Sequence, residues 1–417
     1  MSGSDSRAVK TAALAFALAG TSVGLALASA SFYSTYYATP KQKKLSHGTW
    51  YDAVDDDGRV KSLTAVRKEV IAGGIPSSLR AEVWSVLLGL RDPSSTSVEF
   101  EQGKRTRREL YETYRRRCSE LVELLSKPVQ GSVANLPSDL ASFTEASRII
   151  AADAPRTMFS YGTFARDWES GILSSEDEST RIDWRIEQRN RLIRVLESYA
   201  ILDPAIGYTQ GMNDLAAHFV RDISNESEAF WCFAKFMGAS YRCHFLINPK
   251  ESVRSESAQE GVSDRLRALS EIIKTVDAPL HKHLKFLNAQ ECMFAFRPVV
   301  VLMARELEAA EVGLLWDMLI AAKDNEATSK KKSVGGGARL FLHVVAAALV
   351  KMRTQIMTCK KSDELMQLIA RKLPSKRFQA HELVKKAREL MNMTNGLGEA
   401  IVVTSRAELA LRRAEST

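Results

Sequence analysis

Gly207-Tyr208-Thr209-Gln210-Gly211-Met212-Asn213-Asp214 is the stretch that decides how this chain is read. Upstream, Ile182, Ile186, Ile193, Leu196 and Ala200 recur at three- and four-residue spacing until Asp203-Pro204 stops the pattern. Downstream, Leu215, Ala216, Phe219 and Val220 resume it. The stretch is therefore a junction between two helices. The Gln210 amide pairs an acceptor oxygen with a donor NH2, a combination that can orient a water and a phosphate oxygen together, and Gly211 lets another molecule's backbone come close. A glutamine before glycine is also an ordinary turn residue that satisfies local backbone.

The surrounding residues favour the chemical reading. Gly74-Ile75-Pro76 leads into Arg80-Ala81-Glu82-Val83-Trp84, and Ile150-Ala151-Ala152-Asp153-Ala154-Pro155-Arg156-Thr157 lies between that block and Gln210. Phe296-Arg297, Arg305-Glu306-Leu307 and Trp316-Asp317 follow. In this order the blocks resemble the TBC domain of Rab GTPase-activating proteins, with its patterns R-x-x-x-W, I-x-x-D-x-x-R and Y-x-Q-G-M-N. Each pattern alone is weak, but the ordered set spans roughly Ala72 to Met391.

The resemblance implies an all-α fold of two helical lobes with a groove for a Rab-type GTPase. It implies that Arg156 is an arginine finger stabilising charge on the β,γ-phosphates, while Gln210 orients the attacking water. Asp153, Tyr208 and Asn213 would hold these two by hydrogen bonds, and Arg80 with Trp84 would be architectural. GTP and Mg²⁺ would belong to the partner, so the chain would need no cofactor of its own. It would be an activator in trans rather than a self-contained enzyme. Pro298 departs from the pattern, standing where the family commonly has Trp after Phe-Arg, and is expected to alter packing in the second lobe.

The residues supply reasons of their own. Pro155 fixes its own φ and biases Ala154 away from helix, so Arg156 sits on a stiff connection. A guanidinium is always charged and its fork of donors matches phosphate oxygens, but Arg156 paired with Asp153 alone is the competing reading. Trp84, four residues after Arg80, shares a helix face with it, where guanidinium and indole can stack.

The chain has 417 residues, 45% hydrophobic and 26% charged, ordinary values for a folding protein with a substantial core. Lys and Arg total 58 against 50 Asp and Glu, a net +8 that permits contact with anionic lipid or an acidic protein and does not demand nucleic acid. The arginines from Arg105 to Arg117 alternate with Glu101, Glu109 and Glu112, which describes a salt-bridged solvent face. Cys118, Cys232, Cys243, Cys292 and Cys359 show no C-x-x-C spacing and read as reduced core thiols.

The N-terminus is different. Thr11 to Phe32 is almost wholly Ala, Leu, Gly, Ser, Val and Phe, about the 20 residues a bilayer core requires. Arg7 and Lys10 precede it, and Lys41, Lys43 and Lys44 follow, a balance that keeps the bulk of the chain in the cytosol. A membrane anchor, a cleaved targeting peptide and an exposed tail are the three readings.

The sequence thus divides into an apolar segment over 1–40, a polar linker over 41–65, the helical domain over 66–392 and a tail over 393–417. Trp168 to Thr180 is expected to be an exposed insertion, Lys250 to Gly261 a loop, and Lys330 to Gly337 a flexible connector. No phosphate loop is present, because no Gly-Lys-[Ser/Thr] closes that connector. Gly20-Thr21-Ser22-Val23-Gly24 fits a hydrolase elbow but has no strand before it. His281 and His283, two apart on a helix, diverge around its axis and offer no zinc pair. Two functions of other classes remain: a non-catalytic scaffold using the same groove, and a membrane-anchored adaptor working through its N-terminus and tails.

Overall fold

Ser46, Asn225 and Asp277 each start a helix in the ordinary way, their side chains accepting from the backbone N–H of Thr49, Glu228 and Leu280 at 2.9, 3.0 and 3.0 Å. The computed structural model of the chain describes residues 44–126, 138–157, 178–238, 261–322, 336–374 and 378–394. Among them the chain is helical throughout, with one bridge between Val54 and Val60 in place of any strand. The apolar segment over 1–40, residues 168–177 of the expected insertion, the loop over 250–260, the connector up to 335 and the tail beyond 394 lie outside the described residues. No helix among the described residues is long and apolar enough to cross a membrane.

The N-terminal group comprises α1 (His47–Asp52), α2 (Leu63–Gly73), α3 (Ser77–Leu87), α4 (Ser97–Ser126), α5 (Ser138–Asp153), α6 (Glu178–Leu202), α7 (Met212–Asp222) and α8 (Glu226–Phe236). Helices α4, α5, α7 and α8 pack around α6. The C-terminal group comprises α9 (Val262–Val276), α10 (Ala278–Phe286), α11 (Phe296–Val300), α12 (Ala309–Ala321), α13 (Gly336–Lys351), α14 (Arg353–Ile356), α15 (Ser362–Lys372) and α16 (Ala380–Met393). Helix α13 packs on α9, α12 and α16, while α12 reaches back to α2 and α3 and joins the groups. At the join, Trp316 of α12 is fully buried with its ring 5.2 Å from Phe236, 5.8 Å from Phe219 and 4.8 Å from His218.

Two expectations need correction. Residues 44–65 of the expected linker are not a linker: Leu45 and Trp50 are fully buried, and the Leu45 N–H donates to the Gly74 carbonyl at 3.0 Å. The polar run around Asp55-Asp56-Asp57 hides two large apolar anchors whose spacing is too short to register as a pattern. At the other end the domain includes Thr394, which is buried and lies 2.8 Å from His343 Nε2. Pro298, by contrast, costs little, because it is the third residue of α11, where a backbone N–H has no intrahelical partner anyway.

Asp317 on α12 is fully buried and surrounded by donors. Arg80 Nε donates to Oδ1 and Nη2 to Oδ2, both at 3.0 Å. Trp84 Nε1 donates to Oδ1 at 2.9 Å and the Ile75 N–H to Oδ2 at 3.0 Å. Arg80 also reaches Asp222 of α7 through Nη1 at 3.0 Å. Burial alone would pull the Arg80 pKa down, but Asp317 and Asp222 hold it above its usual value, so the guanidinium stays charged. Gly313 allows the approach: a Cβ there would lie 3.1 Å from Arg80 Nη1. Arg80 and Trp84 are therefore architectural, the guanidinium carbon sitting 5.5 Å from the indole centroid.

Three arginines of α4 meet carboxylates other than the interleaved Glu101, Glu109 and Glu112. Arg107 reaches Glu228 of α8 at 3.0 Å and Arg115 reaches Glu197 of α6 at 3.5 Å, both across helices, while Arg117 lies 3.2 Å from Glu120. This face is therefore in part an interhelical contact rather than a solvent one. Cys118, Cys232, Cys292 and Cys359 are buried and free. His281 turns to Ser270 and His283 to the Ile356 carbonyl.

Asp317→Ala should destabilise the protein by about 3–5 kcal/mol in urea unfolding, because it takes one of the two carboxylates from a buried guanidinium and leaves its Nε–H and an indole N–H without acceptors. A second expectation concerns pH. Burial first, then the neighbouring Arg221, hold the His218 pKa well below the usual 6.5. The unfolded chain then binds a proton that the folded one refuses. Stability should be present above pH 6.5 and fall below it, and His218→Gln should remove about 1.4 kcal/mol per pH unit of that slope in unfolding curves between pH 6.5 and 5.

Candidate functional site

Helix α5 ends at Asp153 and tightens into a single 3-10 turn, Ala154–Arg156, with Pro155 inside it. The following Thr157 is extended. Proline removes one N–H and fixes φ at a place where the helix would otherwise continue, so the turn is stiff and Arg156 leaves it on the outside. The second segment is the loop that enters α7. Its last residue, Gly211, has φ 106°, a conformation that an L side chain rarely adopts, and it turns the chain from Gln210 into Met212.

The two segments are bonded to each other. The buried Tyr208 hydroxyl lies 2.8 Å from Asp153 Oδ2 and 3.0 Å from Asn213 Oδ1. It carries one proton, and the charged acceptor is the better use for it. Asn213 Oδ1 takes its donor instead from the Gly211 N–H at 3.1 Å. Asn213 Nδ2 then donates to Thr157 Oγ1 at 3.0 Å, and that hydroxyl donates to the Asp153 carbonyl at 3.1 Å. The circuit closes on itself, and all four side chains are buried. Burial, and then Asp153, push the Tyr208 pKa up, so the hydroxyl remains a donor.

The circuit presents two exposed side chains. Gln210 sits at the loop's surface, next to Gly211. The Arg156 side chain is 66% exposed and pairs through Nη2 with Asp153 Oδ1, while Nε donates to the Ala152 carbonyl at 3.1 Å. Asp153 thus divides its oxygens between the guanidinium of one segment and the tyrosine of the other. The structure brings Asp153, Arg156, Tyr208 and Asn213 into one hydrogen-bonded unit with Gln210 on its surface, and it places Arg80 and Trp84 in the buried join, away from it.

Thr157 and the pair Asp214–Arg305 also belong to this neighbourhood, although sequence reading passed over them as site residues. Thr157 has a visible signal, following Arg156 directly. Asp214 follows Asn213, and Arg305 Nε reaches both its oxygens at 3.0 Å across 91 residues, a pairing no local pattern encodes. Burial raises the Asp214 pKa, Arg305 opposes this, and the charge of Asp153 adds to it. A concavity lined by Glu112, Arg115, Arg194 and Glu226 shares no residue with this site. No group of acidic, His or Cys side chains among the described residues is placed to hold a metal ion.

A family model described as the Rab-GTPase-TBC domain matches residues 173–357, a span that contains Gln210 and Asn213 and begins after Arg156. The chain is 27% identical to Rab GTPase-activating protein 22 of Arabidopsis thaliana, over 75% of this chain and 73% of that protein. It is 26% identical to human TBC1 domain family member 16, over 66% of this chain and 31% of the relative. It is also 26% identical to GTPase-activating protein GYP7 of Candida glabrata, over 67% of this chain and 36% of the relative. The chain thus spans most of the plant relative and about a third of the other two. Its fold is similar to the crystal structure of the Ypt/Rab-GAP domain of Gyp1p, at a TM-score of 0.58 and 20% identity over 83% of this chain and 97% of that one. A Chlamydomonas flagellar RabGAP TBC domain superposes at 0.52 with 18% identity, over 82% of this chain and 89% of that one.

Tyr208→Phe should cost about 1–3 kcal/mol of stability, because Asp153 loses a donor while remaining buried. Differential scanning calorimetry against the wild-type chain reads the loss, and an unchanged melting temperature would show that the circuit does not hold the two segments.

Proposed function

The chain belongs to the Rab-GTPase-TBC domain family, and from that premise we propose that it accelerates GTP hydrolysis by a Rab-type small GTPase with Arg156 and Gln210 supplied in trans. The observation that carries the reading is the closed circuit of Asp153, Tyr208, Asn213 and Thr157, which ties together the segments bearing these two exposed side chains. Scaffolding alone gives no reason to bury four polar side chains beneath an exposed arginine and an exposed amide.

The chemistry follows from the residue types. Charge accumulates on the β,γ-phosphate oxygens as the γ-phosphoryl group departs, and a guanidinium held there neutralises it in a site from which water is displaced. Arg156 engages its local partners through Nε and Nη2, so Nη1 takes no part in those bonds. On docking, the guanidinium exchanges the Asp153 carboxylate for a phosphate oxygen, and Asp153 keeps Tyr208 as a donor. The Gln210 amide accepts from the attacking water and donates to a phosphate oxygen, which fixes the water in line. GTP and Mg²⁺ are carried by the partner. The apolar segment over 1–40 acts as a membrane tether and takes no part in the chemistry; removing everything before Lys41 should leave activity in solution intact.

Arg156→Ala should lower the GTPase rate stimulated by the chain about 10³- to 10⁵-fold, roughly 4–7 kcal/mol of barrier. Arg156→Lys should fail nearly as badly, since a point charge does not reproduce the fork. Single-turnover hydrolysis across a panel of GTP-loaded Rab proteins measures both, and an Arg156→Ala protein that stimulates as the wild type does would reduce the chain to a binding scaffold.

A further inference from the structure

Beside Arg156, two more arginines are built in the same way. Arg305 is 43% exposed at its side chain and is clamped to Asp214, which is 8% exposed, with Nη2 to Oδ2 at 2.8 Å in addition to the Nε bonds. Arg297 is 39% exposed and donates through Nε to the fully buried Glu306 at 2.8 Å. These groups are neighbours of one another and of the circuit. Asp153 acts electrostatically on both Asp214 and Arg305, and Arg297 acts on Asp214.

The turn that carries Arg305 is held at some expense. Leu302 and Met303 both lie in the left-handed region, at φ 50° and 61°, where bulky side chains are strained by about 1 kcal/mol or more each. Buried packing over-determines them: both side chains are fully buried, the Trp316 indole donates to the Leu302 carbonyl at 3.1 Å, and the Met303 N–H donates to the Pro298 carbonyl at 3.0 Å. Neutralising Asp214 does not require this, since a lysine on a relaxed loop would serve. A strained turn projecting a forked cation fixes where the positive end of the pair meets solvent.

We propose that Arg305 and Arg297 form a fixed electropositive strip, continuous with the Arg156 segment, that receives an acidic surface patch of the incoming GTPase and sets its affinity. This rests on the reading of the chain as a GTPase activator. Each pair is neutral in sum but oriented, with its anion buried and its cation outward, so it attracts an acidic surface at short range and weakens as salt screens it. An acidic protein surface suits these arginines better than a bare phosphate does, because each already commits part of its fork to a carboxylate.

The test compares steady-state GAP kinetics of the full chain, at low and high salt, on a Rab that the wild type stimulates. Asp214→Asn/Arg305→Gln removes both charges and leaves no buried carboxylate unpaired. It should raise KM about tenfold at low salt and flatten the salt dependence of kcat/KM, with kcat within about twofold of wild type. Arg305→Lys, which keeps the outward charge, should recover most of the salt dependence. If the paired variant does not fold, Glu306→Gln/Arg297→Gln, which likewise leaves no buried carboxylate unpaired, carries the test with a KM rise of about threefold. A folded variant with wild-type KM and salt dependence would reduce Arg305 to a counter-ion for Asp214 and overturn the proposal, while the activity reading would stand. Failure of the activity reading is separate and shows in kcat: it is the Arg156→Ala protein keeping the wild-type rate, whatever the KM of the strip variants.

Discussion

A buried carboxylate with four donors around it holds this molecule together. Asp317 lies on α12, its donors come from the Ile75 turn and from Arg80 and Trp84 on α3, and Asp222 on α7 takes the remaining arm of the same guanidinium. Three helices far apart in the sequence are thereby fixed to one point. A hydrophobic surface tolerates small rotations, because burial is non-directional. A forked guanidinium between two carboxylates tolerates few, since each donor has one good acceptor position. The aromatic cluster around Trp316 supplies the bulk of the burial, and the ion cluster sets the angle at which α3, α7 and α12 meet.

The same device recurs at the surface in a different balance. In the join, both the anions and the cation are buried and the result is rigidity. Around Arg156, Arg305 and Arg297 only the anion is buried, and the cation stands at the solvent boundary. Burying a carboxylate costs several kcal/mol unless it is paired and hydrogen-bonded, so each anion demands its arginine and keeps it near one position. That converts a flexible side chain, which would lose up to about 2 kcal/mol of rotamer freedom on docking, into one already ordered at its root.

Much of the fold and the heart of the site can be read from the chain itself. Apolar residues at three- and four-residue spacing locate α6 and α7, and Asp203-Pro204 with Gly211 locates the turn between them, because these signals are local. Asp153, Arg156, Tyr208 and Asn213 are legible through motif order, whereas the burial of Asp153, Tyr208 and Asn213 beneath an exposed Arg156 and Gln210 does not follow from residue type, since Asp and Asn are mostly found at the surface. What escapes is long-range or irregular. Leu45 and Trp50 are core residues in a run too polar and too short to show a period. The Arg305–Asp214 pair joins residues on separate elements, and the left-handed Leu302 and Met303 contradict local preference outright, which only the packing above them explains.

Helix α7 shows why the core and the site are not independent. Asp214, His218 and Asp222 stand at four-residue intervals and therefore share one face. Asp214 meets Arg305 beside the loop, His218 packs with its ring centroid 4.8 Å from that of Trp316, and Asp222 closes on Arg80 in the join. A helix is stiff along its axis, so the azimuth set by Asp222 and His218 is inherited by Asn213 and by the loop residue Gln210 just before the first turn. Rotating α7 by one residue, 100°, would carry Asn213 away from Thr157 and Tyr208 together. The buried histidine fits this role because it is held neutral: a charged imidazolium against Arg80 and Arg221 would push the helix off its seat, while the neutral ring packs tilted against the indole. The position of an amide at the surface is thus decided three turns away, by which side chains of α7 the core accepts.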